Sequence, residues 1–338
     1  MQNKLFSIQI PTCNRADSLK ETLKDLIPKV KRYNIGIYVN DNNSQDKTAV
    51  YVKDCMQEYK YLHYNKVEIS SYEEANVHIS AEKNMQAALA LGESEYRLLL
   101  GDHYILYDES SIEALLESLE KRDLDGLILH HNRRTMARNN DFIYEDRELF
   151  LEDLGWYISM VSTVVYHKDV LEKMNFEKYY GTNYGHTLAL LDYIATHNFR
   201  LKYIHKVTTW TTKGGVKGLA SWHAQVLEIF TKSWYEGIMS IPDTLSNASK
   251  LRCIKNHYRY NEGFYSWKSL IFYRYAGGIT INSCIKYLPY LKKTAGYAVV
   301  GKVLLIALVP KIFIPYFFKE SYAYIQRVLG NIDKYDIK

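Results

Sequence analysis

Asp102 and His103 directly follow an apolar run, residues 96–100, and are well placed to bind a charged ligand together with Gly101. A carboxylate oxygen beside an imidazole nitrogen suits Mn²⁺, whereas Mg²⁺ prefers oxygen ligands. A diphosphate carries several negative charges and needs either such a cation or fixed positive groups. The alternative is a plain turn in which Asp102 caps the residues that follow. The abrupt change from apolar to polar favours the binding site.

A second polar cluster lies at residues 11–15, again after a short apolar run. Pro11 ends that run in the sequence, and Thr12 and Asn14 offer polar side chains at its tip. Arg15 could face a phosphate and donate two hydrogen bonds to it. The alternative is an ordinary connection from a strand to a helix.

A third polar cluster contains Asp41 and Asn43. The carboxylate of Asp41 could accept hydrogen bonds from the base or the ribose of a nucleotide. The alternative is that these residues form an Asx turn and cap the next helix, which their side chains do well.

The elements that must position these clusters alternate between strand and helix. Apolar patterning predicts strands at residues 5–10, 35–39, 62–69, 96–100 and 126–129. It predicts helices at 17–30, 75–91 and 111–119, and one more that follows the cluster at 40–44 and ends at about residue 56. This alternation predicts an open, mostly parallel, Rossmann-like α/β sheet. Ligands bind such sheets at the carboxyl ends of the strands, where all three clusters would meet.

The second half of the chain gives a weaker pattern. We predict strands at residues 160–166 and 199–209, a helix at 185–196, and mostly helix from 221 onward. The predicted domains are therefore a nucleotide-binding and catalytic domain at 1–220 and a helical region at 221–338.

The charge is distributed unevenly along the chain. Its net value is +5, yet residues 250–338 contain 15 Lys or Arg and 4 Asp or Glu, so the first 249 residues sum to −6. The basic end is also strongly apolar at residues 295–318, which include two lysines and two prolines. A basic and apolar segment favours an anionic membrane surface over nucleic acid. We expect it to lie in the membrane interface rather than to span the bilayer.

The cysteine pattern bears on location. The four cysteines form no CxxC pair and suggest no disulfide framework, so a reducing compartment fits best. With no signal-peptide pattern at the start, we expect a cytoplasmic protein that binds the inner face of the cell membrane.

Three runs together resemble the family 2 inverting glycosyltransferases with the GT-A fold. They are FSIQIPTCNR at residues 6–15, VNDNNSQDKT at 39–48 and LLLGDHYIL at 98–106. The order and spacing of the first two match well, and the resemblance covers about residues 4–215. The branch it most resembles is that of abequosyltransferases and other bacterial surface-polysaccharide transferases.

The resemblance implies roles for individual residues. The positions of Thr12 and Asp41 contact the nucleotide in that family, and the position of Asp102 holds the metal-bound diphosphate. The family has an acidic triplet, Asp-Asp-Asp or Asp-x-Asp, where this chain has Asp102-His103-Tyr104. Three alternatives stay open: His103 replaces a carboxylate as ligand, Asp102 binds Mn²⁺ or Mg²⁺ with a later residue, or the protein is metal-independent or inactive.

Two further candidate positions also come from the resemblance. Family members often place an asparagine or a basic residue near the donor where this chain has Lys83 and Asn84, and Lys83 could offset diphosphate charge. The family's catalytic base is usually an acid at the start of a helix after the sheet. The matching stretch here, residues 179–187, contains no acid, so we predict His186 as the base.

A glycine-rich, basic stretch at residues 210–218 could close over the diphosphate or could be a plain connector.

We therefore predict transfer of a sugar from a nucleotide sugar to a glycan, with a polyprenyl-diphosphate lipid as the expected carrier of that acceptor. The basic tail could instead pack against a second subunit in a homo-oligomer. The competing hypotheses are a non-catalytic GT-A scaffold in a polysaccharide-assembly complex and a nucleotidyltransferase.

Overall fold

A computed structural model describes residues 1–67, 80–132, 134, 138–212, 221–318, 322 and 325. The chain forms two compact units. The first comprises Met1–Gly215 with Pro242–Leu245, and the second comprises Val216–Ile241 with Ser246–Lys338. The assignment of functions to domains 1–220 and 221–338 stays a prediction.

The first unit alternates strands and helices from its start. Its strands are β1 (Phe6–Thr12), β2 (Gly36–Asp41), β3 (Leu62–Lys66), β4 (Tyr96–Leu99), β5 (Tyr104–Leu106), β6 (Gly126–His131), β7 (Phe142–Tyr144), β8 (Val164–His167) and β9 (Leu201–Thr211). Its helices are α1 (Ala16–Lys31), α2 (Thr48–Glu58), α3 (Ala81–Leu91), α4 (Glu109–Leu119), α5 (Arg147–Phe150), α6 (Lys168–Lys173) and α7 (Gly185–Thr196).

All nine strands belong to one mixed sheet. Its order is β3-β2-β1-β4-β8-β6-β9-β5, and β7 also pairs with β9. The first four strands are parallel, as predicted. Strand β8 is antiparallel to both β4 and β6, so β6 runs in the same direction as β4. Strands β6 and β9 are parallel, while β5 and β7 are antiparallel to β9. The α/β fold is confirmed, with these antiparallel additions to the parallel half.

The central strands of the parallel half, β1 and β2, are buried on both faces. Every residue of β2 is buried, and so is every residue of β1 except Pro11. Helix α1 covers one face with an apolar stripe at helical spacing. The buried members of that stripe are Leu19, Leu23, Leu26, Ile27 and Val30.

Two strands differ from the prediction for local reasons. Strand β1 continues through Pro11 to Thr12, because its pairing with β4 ends at Gln9 and a proline is tolerated where one neighbour is missing. Strand β8 begins at Val164 rather than at 160, because the backbone turns at Ser162, whose φ is +84°. Ser159, in a 3₁₀ turn at Tyr157–Ser159, precedes that turn.

The second unit is helical where it is described. It contains α8 (Trp234–Met239), α9 (Asn247–Arg259), α10 (Trp267–Tyr275), α11 (Ile281–Thr294), α12 (Tyr297–Leu308) and α13 (Ile314–Phe317). Ser246, Ser266 and Thr280 cap three of these helices through side-chain hydrogen bonds. Among the described helices, none has both the length and the apolar character needed to cross a bilayer.

Candidate active site

The carboxyl ends of β1, β2 and β4 lie side by side at one edge of the sheet. Thr12, the last residue of β1, pairs in register with Asp41, the last residue of β2. Asp102 follows β4, which pairs with β1 on the other side. The order of strands changes direction at β1, and ligands bind open α/β sheets at such a switch point.

Asp102 is the centre of the first contact group. Its carboxylate is nearly buried and accepts a hydrogen bond from Thr12 Oγ1 at 3.0 Å. Its other oxygen lies 3.9 Å from Arg15 Nη1 and 3.3 Å from His103 Nδ1. The side chains of Arg15 and His103 are 29% and 25% exposed. Asp102 thus holds two basic side chains where a ligand from solvent can reach them.

The backbone of this loop is fixed from both sides. Thr22 of α1 donates to the carbonyl of Asp102 at 2.9 Å, and the Gly101 amide donates to Ser162 Oγ at 2.9 Å. A Cβ at Gly101 would lie 2.8 Å from the ring of Tyr104, so the close packing of that ring requires glycine. The sequence predicted Asp102 but gave no signal for Thr22 or Ser162.

Asp41 shapes the loop after β2. It is fully buried, and it accepts hydrogen bonds from the Ser44 amide at 2.9 Å and from the Tyr64 hydroxyl at 2.6 Å. Burial and this hydrogen bond raise the pKa of Tyr64. Asn43 follows with φ +52°, which asparagine tolerates. The predicted contact of Asp41 with a nucleotide is untested, and its observed partners are the protein's own groups.

Asn14 ties the loops after β1 and β2 together. Its backbone amide donates to Ser44 Oγ at 2.8 Å, and its Oδ1 accepts from the Gln45 amide at 2.8 Å. Asp46 accepts from the Ala16 amide at the start of α1. Burial raises the pKa of Asp46, but hydrogen bonds from Thr48 and Ala16 outweigh it, so the net pKa is lowered. These contacts hold the two loops in one conformation.

Asn84 and Lys83 behave differently in the structure. Asn84 of α3 is buried, accepts a hydrogen bond from Asn40 at 2.7 Å and donates one to the Thr12 carbonyl at 3.3 Å. It therefore connects the ends of β1 and β2. Lys83 is exposed, with its Nζ 5.3 Å from the centre of the Tyr180 ring. The role of either residue at a donor site stays a prediction.

Glu82, which sequence reasoning missed, is a buried acid that organises the approach to α7. It accepts hydrogen bonds from the Gly181 amide at 2.7 Å, the Gly185 amide at 3.1 Å and Thr182 Oγ1 at 3.2 Å. A carboxylate at a helix N-terminus is favourable because the helix dipole and free amides attract it. Because Gly185 precedes His186, Glu82 helps to fix the position of His186 at the start of α7.

His186 is buried at the start of α7. Desolvation lowers its pKa to about 4, while a backbone hydrogen bond with Ser159 acts in the opposite direction. Its Nε2 lies 3.2 Å from Thr187 Oγ1, which itself donates to the Ile158 carbonyl. The ring is therefore neutral at neutral pH and able to accept a proton, but it titrates below the range that the sequence suggested.

The residues for a divalent cation are only partly present. Asp102 and His103 adjoin each other as predicted, but the described residues contain no group of three His, Cys, Asp or Glu side chains that could bind a metal. The Asp102 carboxylate is already shared with Thr12 and Arg15. These side chains do not by themselves fit a cation held by the protein, and the steps derived below use the chain's own groups.

One other predicted feature lies mostly outside the described residues, and one buried residue at this edge was not predicted. From Lys213 onward, the glycine-rich stretch at 210–218 lies outside the described residues. Its first residue, Trp210, stacks on Tyr107 with ring centres 5.0 Å apart. A residue that the sequence did not single out, Arg134, is buried at the same edge of the sheet as Asp102.

Comparison with known proteins gives a family and a fold. The family model described as glycosyl transferase family 2 matches residues 7–175, half of the chain. No curated protein matches the chain at a significant level. S. aureus TarS 1-349 in complex with UDP is 14% identical with a TM-score of 0.53, covering 99% of this chain and 94% of that one. The mannosyltransferase PcManGT from Pyrobaculum calidifontis, in complex with GDP-Man and Mn²⁺, is 13% identical with a TM-score of 0.51, covering 98% and 86%.

Proposed function

The chain belongs to glycosyl transferase family 2 and is a glycosyltransferase with the GT-A fold, and we propose that it transfers a sugar, with inversion, from a nucleoside-diphosphate sugar to a glycan acceptor. The observation that carries this proposal is the contact group of Thr12, Arg15, Asp102 and His103 at the switch point of the sheet. Structures of the same fold in complex with UDP and with GDP-Man support a nucleotide-sugar donor.

The donor would lie across the ends of β2, β1 and β4. The loops joined by Asn14 and Asp41 would receive the nucleoside, with Pro11 and Asn43 at its border. Arg15 and His103 would face the diphosphate, because Asp102 holds both of them at the edge of the sheet. Preorganised positive groups lower a barrier when charge develops beside them.

Inverting transfer then needs one displacement. An acceptor hydroxyl oxygen bonds to the anomeric carbon while the bond from that carbon to the diphosphate oxygen breaks, and the electron pair leaves with the nucleoside diphosphate. We propose that neutral His186 accepts the hydroxyl proton. With a pKa of about 4, it would pass that proton on readily, since the imidazolium is disfavoured in its buried position.

A divalent cation, Mn²⁺ or Mg²⁺, would be held by Asp102 and His103 only together with the bound donor. Because Asp102 and His103 supply two ligands, such a cation would depend on donor oxygens and water for the others. Nucleotide titrations with Mn²⁺ and with EDTA decide whether the donor needs it.

The acceptor would be lipid-linked, and the support comes from the second unit. Helix α12 is apolar except for Lys302, with Val299, Val303 and Ile306 buried on one side. Its other side is exposed: Tyr297 is 79%, Leu305 60% and Leu308 65% exposed. These exposed residues, at helical spacing, form one apolar stripe.

Further exposed apolar residues and two lysines lie in and shortly after this helix. Ile312 and Tyr316 are 69% and 72% exposed, and Lys302 and Lys311 lie in the same stretch. A helix with this composition lies in the plane of an anionic membrane surface, with apolar side chains inserted and lysines at the headgroups. This favours a peripheral membrane protein, and we propose that it acts at the cytoplasmic face of the cell membrane in surface-polysaccharide synthesis, as the family resemblance implies.

Vesicle sedimentation tests the membrane proposal. Wild type should sediment with vesicles containing phosphatidylglycerol, and the double substitution Leu305→Glu with Leu308→Glu should release it without changing nucleotide affinity. A wild type that ignores vesicles but is a dimer, which the substitution converts to monomer, would show that the stripe binds a second copy instead.

The product of turnover tests the reaction itself. Transfer to a glycan releases a nucleoside diphosphate, nucleotidyl transfer releases pyrophosphate, and a non-catalytic scaffold releases neither. The scaffold is the second candidate, because the described residues lack a third acidic or histidine ligand beside Asp102 and His103. Donor-dependent release of a nucleoside diphosphate would exclude it.

A further inference from the structure

Arg134 lies at the edge of the sheet where the donor is proposed to bind. It follows the end of β6, His131, by three residues, and its backbone amide donates to the His131 carbonyl at 3.0 Å. Since β6 runs in the same direction as β4, the end of β6 is at the same edge as Asp102. Asp102 likewise follows β4 by three residues.

The guanidinium of Arg134 is buried without an acidic partner among the described residues. The residue is 9% exposed, and its Nε and Nη1 have no hydrogen-bond partner there. Its Nη2 lies 3.4 Å from Ser159 Oγ, and its guanidinium lies 5.3 Å and 6.0 Å from the rings of Trp156 and Tyr157. Burial lowers the pKa of Arg134, while the charges of Tyr157, Tyr104 and Tyr184 act in the opposite direction.

Contacts connect this arginine to both sides of the proposed reaction centre. The ring of His131, whose carbonyl accepts from Arg134, is 5.3 Å from the ring of Tyr104, two residues after Asp102. Ser159, on its other side, also makes the backbone hydrogen bond to His186. Arg134 thus lies between the loop after β4 and the start of α7.

An isolated buried charge is costly, and stacking on aromatic rings returns only part of that cost. A bound anionic ligand would compensate the charge of the Arg134 guanidinium. We propose that Arg134 binds the diphosphate of the donor nucleotide and stabilises the charge left on the phosphate oxygen when the bond to the anomeric carbon breaks. This inference rests on the proposed function and deepens it. Arg134 would supply positive charge beside the diphosphate, where a full acidic triplet would supply it through a bound metal ion.

The test compares Arg134→Met with Arg138→Met, a matched control four residues later. Arg138 has the partners that Arg134 lacks: its Nη2 is 3.1 Å from Asp153, and its Nε is 3.0 Å from the Tyr144 hydroxyl. Calorimetry with UDP, GDP and CDP first finds which nucleotide wild type binds. That nucleotide and its parent nucleoside are then titrated into wild type and both variants, with thermal unfolding of each.

We expect Arg134→Met to weaken nucleoside diphosphate binding by about 10- to 100-fold, as for a lost charge-assisted hydrogen bond, with nucleoside affinity unchanged. Arg138→Met should lower the unfolding temperature and leave the ratio of diphosphate to nucleoside affinity at its wild-type value. Equal diphosphate affinity in wild type and Arg134→Met would overturn the inference alone. A wild type that binds no nucleotide would instead overturn the proposed function.

Discussion

The two halves of the site edge differ in how their polar groups are satisfied. At the ends of β1 and β2, Asp41, Asn14 and Asn84 are hydrogen-bonded to other protein groups, which fixes the loops before any ligand binds. Around Asp102 after β4 and at the end of β6, the positive groups are less fully paired. Arg15, which approaches Asp102 from the loop after β1, and His103 remain partly exposed, and Arg134 is buried with no described acid beside it.

The first half therefore shapes the pocket, and the second half supplies positive charge to it. Groups in the first half already have partners, so substituting them should change stability first and binding through it. Groups in the second half have unused donors, so substituting them should change binding and turnover with less effect on stability.

The largest effect is expected at Asp102. Asp102→Ala frees Arg15 and His103 from the carboxylate that positions them, and removes a predicted metal ligand. We expect kcat/KM to fall by about 100- to 1000-fold, the usual range for losing a preorganised electrostatic group. Steady-state release of nucleoside diphosphate measures this, with circular dichroism to confirm folding. Activity within a few-fold of wild type would remove Asp102 from the reaction centre.

The stability of the protein should depend on pH through His186. Its folded pKa of about 4 lies below its unfolded value of 6.5, so the unfolded chain binds more protons between these pH values. Stability from this group is therefore complete above about pH 6.5 and is lost as pH falls to about 4. The expected loss is about 3 kcal/mol.

Urea unfolding of wild type and His186→Gln at several pH values between 4 and 7 checks this. The variant should lack that part of the acid slope. If His186 is also the base, the acid limb of kcat in wild type should lie near pH 4. Parallel acid slopes in the two proteins would contradict the buried neutral histidine.

The first half should respond chiefly in stability. Tyr64→Phe removes a hydrogen bond to the buried carboxylate of Asp41, and Asp41→Asn replaces that carboxylate with an amide. Each should lower the free energy of unfolding by about 1–3 kcal/mol, and the double variant should lose less than the sum. Urea unfolding at neutral pH gives all three values. Additive losses would mean that the pair does not act together.

The smallest effect is expected at Lys83. Its side chain is exposed and rests over the ring of Tyr180. Lys83→Met should change nucleotide affinity by less than about threefold, since exposed charges are screened by solvent. A larger loss, matched to that of Arg134→Met, would place Lys83 with the charge-supplying half.

Most candidate residues at this edge of the sheet could be predicted from the sequence, but Arg134 and Glu82 could not, for a physical reason. Strand ends with Thr12, Asp41 and Asp102 are local patterns, and their convergence follows from a parallel sheet. Arg134 and Glu82 act through contacts distant in sequence, such as those of Glu82 with Gly181 and Gly185. A single charged residue in a polar stretch predicts an exposed side chain, and only the fold shows that these two are buried.

The same limit applies to geometry. Pro11 predicted the end of β1, yet the strand continues to Thr12 because β4 has already ended beside it. The turn at Ser162 was equally hidden, because serine rarely adopts a positive φ and its hydroxyl bonds to Gly101, which is remote in sequence.

The most direct test of the account is calorimetric titration of UDP, GDP and CDP, each with Mn²⁺ and with EDTA, into wild type and Asp102→Ala. The account predicts micromolar binding of one nucleotide by wild type and at least tenfold weaker binding by the variant. Binding that persists in EDTA would assign the diphosphate to the arginines, and binding that needs Mn²⁺ would assign it to a cation at Asp102 and His103. No binding of any nucleotide by wild type would contradict the account and leave the scaffold.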